Sequence, residues 1–244
     1  MLKVEDILRE DFKWENVEID EDEFDALETE LIIDYLKKNS PKERQLLAID
    51  WNFDNSKEVI KWIAEQPDTD KGTALFLYWY INPQYFKQYE NREDCKKKDS
   101  WLLEDYDIVE TLEKNYLSGF YKNQKYAFDP KNDPYNSDYD WTEEVEEEEM
   151  KREIPEEMYM ALDGEVLESP NWEEGIPDDI IPILDKLYEA LMASYDLEDK
   201  NEIRSFFNQL RQEFLDWHGT VFETPEYHEQ AKKIEEFYKS KAVE

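Results

Sequence analysis

Ala74-Leu75-Phe76-Leu77-Tyr78-Trp79 is the run on which the fold class turns. Apolar and aromatic throughout, and followed by Pro83, it fits either a buried helix or a core strand, and periodicity alone does not choose. Its neighbours do. Upstream, Val59, Ile60, Trp62 and Ile63 recur at helical spacing before Pro67, and Asn55 with Glu58 makes a capping-box pattern at their start. Before that, Asn39-Ser40-Pro41-Lys42-Glu43 combines a stop with a start: Ser40 suits an N-cap, Pro41 the first turn, and Glu43 the reciprocal acid. The helix so opened carries Leu46, Leu47, Ile49 and Trp51 and ends at Asn52-Phe53-Asp54-Asn55. Farther back, Phe24, Leu27, Leu31, Ile32, Tyr35 and Leu36 predict an amphipathic helix over 23–38. Among short helices with tight connections, residues 74–79 are read as one more helix.

Downstream, a charged loop holds Cys95, and a further helix carries Trp101, Leu102, Ile108, Val109, Leu112 and Tyr116 before Gly119 closes it. Tyr121, Tyr126 and Phe128 alternate loosely with polar residues, as a short strand or an extended segment would. Composition then shifts. From Asp129 to Glu149 there are ten acids and one base, with Pro130 and Pro134, which reads as a solvated loop. Helical periodicity returns after Pro177 with Ile180, Ile183, Leu184, Leu187 and Leu191. It continues with Ile203, Phe206, Phe207, Leu210 and Phe214, and after Pro225 with Ala231, Ile234 and Phe237. The expectation is a mainly α protein: a multi-helical N-terminal domain over 1–130, an acidic loop or linker over 131–156, and a C-terminal region over 157–244 whose three-helix element packs against the front.

Charge dominates the functional reading. Against 64 acids stand 29 bases, a net charge of −35, and residues 131–244 hold 33 acids to 11 bases. Such a surface repels nucleic-acid phosphates and anionic lipid, and attracts basic proteins by long-range steering, besides favouring solubility. Aromatics at 15% separate the chain from disordered acidic tails, which are poor in them. A single cysteine excludes an internal disulfide, the N-terminus lacks an apolar signal core, and no apolar run is long enough to span a bilayer. A cytoplasmic protein with no membrane partner is expected.

Leu47-Ala48-Ile49-Asp50-Trp51-Asn52-Phe53-Asp54, Ile60-Lys61-Trp62-Ile63, Asp68-Thr69-Asp70-Lys71-Gly72-Thr73-Ala74-Leu75 and Tyr78-Trp79 resemble the DUF4274 family. The resemblance runs on through Leu117-Ser118-Gly119-Phe120-Tyr121 and Phe128-Asp129-Pro130, so it spans residues 40–130. Thr69 stands where the family's Cys-Asp-x-Gly-Thr-Ala signature has cysteine, which argues against a catalytic thiol there. The family's function is unknown; the resemblance implies a small bacterial protein of the immunity type, encoded beside a secreted toxin. The motif residues also have a structural reading: Trp51, Trp62 and Trp79 as core, and Asn52, Asp54, Asp70 and Thr73 as caps and turns.

Chemistry-bearing motifs are scarce. Asn136, Asp138 and Asp140 with Glu147 mimic a calcium loop, but Trp141 occupies the position that needs glycine. His218 and His228 are the only histidines and lack zinc-ligand company, so no metal or cofactor is expected. Cys95 has no histidine near it in sequence to act as base, and there is no GxSxG, P-loop or GxGxxG, so no catalytic residue is assigned. The candidate contact surface is the acidic run Glu143, Glu144, Glu146, Glu147, Glu148 and Glu149, with Tyr139 and Trp141 before it as anchors. It equally suits a solvated loop. The functional expectation is an acidic binding protein that neutralises a basic partner by stoichiometric contact, such as a cognate toxin. The alternatives are an enzyme with an unrecognised carboxylate site and an acidic mimic of DNA.

Overall fold

In the computed structural model, residues 2–15, 17–137, 139–143, 150–194 and 232 are described. By contact the chain divides into two compact units, residues 1–191 and 192–244. The helices expected around Ile203–Phe214 and Ala231–Phe237, and their packing on the front domain, lie outside the described residues.

The fold is mainly α. Among the described residues, α-helices follow one another from α1 (Val4–Ile7) to α9 (Ile181–Ser194), and β structure is confined to isolated bridges. Helix α2 (Glu21–Lys38) starts where the Asp20 carboxylate accepts the Glu23 N–H at 2.8 Å. Acids fill its first turn and Lys37 and Lys38 its last, matching the helix dipole at both ends. Leu27, Leu31, Ile32 and Leu36 form the buried stripe.

Helix α3 (Pro41–Asp50) begins with its proline in the first turn as expected, but the capping box does not form. Ser40 makes no side-chain cap, and the Glu43 carboxylate instead accepts the Tyr35 hydroxyl from α2 at 3.2 Å. A tertiary partner has taken the acid that local sequence assigned to the cap. Helix α4 (Lys57–Ala64) shows the same effect. Its N-cap is Ser56, and the Asn55 side-chain amide donates to the Glu174 carbonyl at 3.1 Å, tying the helix start to a distant turn.

The undecided run is a helix, α5 (Lys71–Tyr80), and it is buried from Gly72 through Trp79. A helix apolar on every side belongs at the centre. Short helix α6 (Pro83–Lys87) follows after Asn82 takes a left-handed turn at φ 59°. Helices α7 (Arg92–Lys98) and α8 (Leu103–Leu117) complete the bundle, α8 packing on both α4 and α5. At the end of α8, the Gly119 N–H reaches Tyr116 O and the Phe120 N–H reaches Asn115 O. With Gly119 at φ 68°, this is the paired 6→1 and 5→2 closure that glycine favours.

Beyond α8 the chain returns across α5 in extended form. Phe128 and Leu162 exchange both backbone bonds, and Ala127 and Lys125 pair with Glu165. The strap runs so close to α5 that a Cβ on Gly72 would lie 2.2 Å from the Tyr126 carbonyl oxygen. The described parts of 131–156 lie on the helices: Asp133 is fully buried and Ile154 joins the core, as does Met158 just beyond.

Candidate functional site

Of the expected contact residues, Glu144, Glu146, Glu147, Glu148 and Glu149 lie outside the described residues. Tyr139, Trp141 and Glu143 are described, and the fold brings the two aromatics together edge to face at 4.9 Å. Both are half-buried, while Glu143 is exposed. A buried acid organises them. The Asp133 carboxylate accepts the Trp141 indole N–H at 2.8 Å and the Tyr135 backbone N–H at 2.8 Å. Its own N–H donates to Tyr139 O at 3.0 Å. Burial, followed by the charge of Asp133, pushes the Tyr80 hydroxyl far above its ordinary range. The Trp141 ring lies 4.6 Å from Tyr80, and its backbone bonds Pro130 O and the Gln84 amide. Trp141 is thus tied to α5 and α6 and remains partly exposed. Asp140 accepts from Thr142 through both N–H and hydroxyl, so it is engaged in a local turn. Among the described residues no group of three potential metal ligands converges.

The signature around Thr69 and Asp70 forms a second centre, and its bonds are structural. The Asp70 carboxylate, 2% exposed, accepts the Gly72 N–H at 2.8 Å, the Lys125 N–H at 2.7 Å and the Tyr126 N–H at 3.3 Å. One side chain therefore caps α5 and holds the returning strap. The Thr69 hydroxyl donates to Ile63 O at 2.7 Å and accepts from Arg44 at 3.1 Å. Arg44 forms a two-pronged pair with Asp68 and lies 5.0 Å over the Trp62 ring. That pairing holds the Asp68 carboxyl below its ordinary range. Trp51 and Trp79 are buried as the core reading required, and Asn52 accepts the Asp54 N–H at 2.9 Å in a turn. Thr73 is buried, but its hydroxyl finds no hydrogen-bond partner among the described residues.

A third centre was not anticipated. Lys87 on α6 is 1% exposed, and its ammonium lies 2.8 Å from Glu113 and 3.3 Å from Glu110, both on α8. Arg152 pairs with Glu110 at 2.8 Å, and the Tyr78 hydroxyl donates to Glu113 at 2.6 Å. Burial, then the neighbouring Glu113 charge, drives the Tyr78 hydroxyl far above its ordinary range. Two cations face two carboxylates, so no net charge is buried. The available sequence signal was slight: Glu110 and Glu113 sit three apart and therefore on one face of a helix. Cys95 is buried, which, with the nearby Asp99, raises its thiol away from the reactive range.

Residues 39–117 match DUF4274, a domain of unknown function. No curated protein and no solved structure matches the chain. The DUF4274 segment runs from the start of α3 to the end of α8, so it contains the Asp70 carboxylate, Lys87, Glu110 and Glu113. The groups that complete these centres lie beyond it: Lys125 and Tyr126 for Asp70, and Arg152 for Glu110. Among the described residues, no helix is long and apolar enough to cross a membrane.

Proposed function

We propose that this chain is a stoichiometric binding protein for a basic protein partner, acting in the bacterial cytoplasm as an immunity protein acts on its toxin. The excess of 64 acids over 29 bases carries the reading. The structure supports it by showing where many of the cations are spent. Arg44, Lys57, Lys87, Arg92, Lys98 and Arg152 are each paired with carboxylates of the same chain. Internal pairing leaves the surface its surplus of acids, which steers a basic partner and raises its encounter rate. Tyr139 and Trp141, already seated against the core, would anchor the contact with little ordering cost. Exposed Glu143 stands two residues beyond Trp141, where the acidic run begins.

The test is affinity capture by the tagged full chain from its native host at low salt, followed by mass spectrometry and sizing of the purified pair. One basic protein recovered in a defined ratio is the expected result. A capture empty of any stoichiometric basic protein would overturn the reading.

A further inference from the structure

We infer that residues 150–160 form a displaceable strap, latched by Arg152, that closes over the amine of Lys87. The segment is held mainly through polar anchors. The Arg152 guanidinium donates to Tyr89 O at 2.8 Å, to Phe86 O at 3.2 Å and to Glu110 at 2.8 Å. The N–H groups of Lys151 and Arg152 both donate to Lys87 O, at 2.9 and 3.2 Å. At the far end, the Trp79 indole N–H reaches Met158 O at 2.8 Å. Apolar burial is confined to Ile154 and to the far end, where Met158 is buried and Tyr159 meets Trp79 edge-on at 5.2 Å, whereas Lys151, Glu153, Glu156, Glu157 and Met160 are exposed.

Such a balance marks an element of low local stability, because polar anchors exchange with water far more readily than a packed face does. The latch and the covered group are also coupled. Glu110 is shared by Arg152 and Lys87, so withdrawing the guanidinium removes the strap and leaves the Lys87 ammonium with both carboxylates to itself. Opening leaves one ammonium against two carboxylates, and the surplus charge falls on Glu110, the more exposed of the two acids, where water can solvate it. It presents a primary amine flanked by Glu110, Glu113 and the Tyr78 hydroxyl to solvent. The strap lies outside the DUF4274 segment while everything it covers lies inside, so the device belongs to this chain's extension of the domain.

The experiment is amine acetylation of the intact chain with an activated acetate ester, read by peptide mass spectrometry, with exposed Lys96 as the internal standard. In the unaltered protein Lys87 is expected to react far more slowly than Lys96. In Arg152→Ala its rate should rise roughly ten- to hundredfold, as expected for losing one set of charge-assisted bonds, with the helical circular dichroism unchanged. Arg152→Lys keeps the charge but not the fork, and should fall between the two. Lys87 reacting as fast as Lys96 in the unaltered chain would overturn the inference. So would equal protection in all three proteins, or loss of helicity in Arg152→Ala, which would make Arg152 part of the core instead of a latch.

Discussion

Removing the Asp70 carboxylate should unlock the returning strap and weaken α5 together. In Asp70→Ala three backbone donors lose their acceptor: Gly72 N–H inside the helix start, and Lys125 and Tyr126 N–H in the strap. Loss of the cap alone costs about 1 kcal/mol. Each strap donor left unpaired in a buried position costs roughly another 1 kcal/mol or more. Lys125 is exposed and can recover part of its bond from water, so about 3 kcal/mol is the expected total. Urea denaturation followed by circular dichroism would read this as a midpoint lowered by about 1.5 M, for a slope near 2 kcal/mol per molar. Asp70→Asn keeps an oxygen for the Gly72 cap but turns an amide N–H toward a strap donor, so its loss should be roughly half as large. Hydrogen exchange adds the spatial readout: the amides of Lys125 and Tyr126 should lose protection first. A midpoint for Asp70→Ala that matches the unaltered protein would show that the carboxylate does not hold α5 and the strap together, as would retained protection at Tyr126.

Two further outcomes follow from single groups. Thr73 is fully buried with an unpaired hydroxyl, so Thr73→Val should raise stability by about 1 kcal/mol in the same titration. Asp94 carries a carboxyl held down to about 2 by hydrogen bonds from Lys98 and the Glu90 N–H. Its folded value is below its unfolded one, so its contribution is present above about pH 4 and lost as pH falls toward 2. Asp94→Asn should therefore lose that contribution at neutral pH and differ little from the unaltered protein near pH 2, flattening the acid limb of a profile of urea midpoint against pH.

How far the sequence could be read depended on whether the deciding interaction was local. Helix α2 was legible over 23–38 because its apolar stripe lies within one segment, while its true start two residues earlier, after the Asp20 cap, was not read. Residues 74–79 were undecided locally, since a helix buried on every face has no polar side to reveal its period. The capping boxes at Ser40 and Asn55 were plausible locally and failed for a tertiary reason, because Tyr35 and Glu174 claimed the groups involved. Asp70 was correctly read as a capping residue, but its second task, holding Lys125 and Tyr126, spans more than fifty residues and left no pattern. Lys87 is the plainest omission. A lysine at the end of a short helix looks solvent-facing, and only the convergence of α6, α8 and Arg152 buries it. Tyr139 and Trp141 were singled out as neighbours of the acidic run, and they do meet, but the indole N–H points inward to Asp133 and leaves only part of the ring for a partner.

The most direct test of the proposed function is the association rate of the purified chain with its captured partner as a function of salt. The rate should fall by at least roughly tenfold between about 0.02 and 0.5 M salt, as electrostatic steering is screened. A variant with Glu143, Glu144, Glu146, Glu147, Glu148 and Glu149 changed to lysine should associate more slowly at low salt and lose most of that dependence. An association rate indifferent to salt, and unchanged in that variant, would contradict the claim that surface acids bring the partner in.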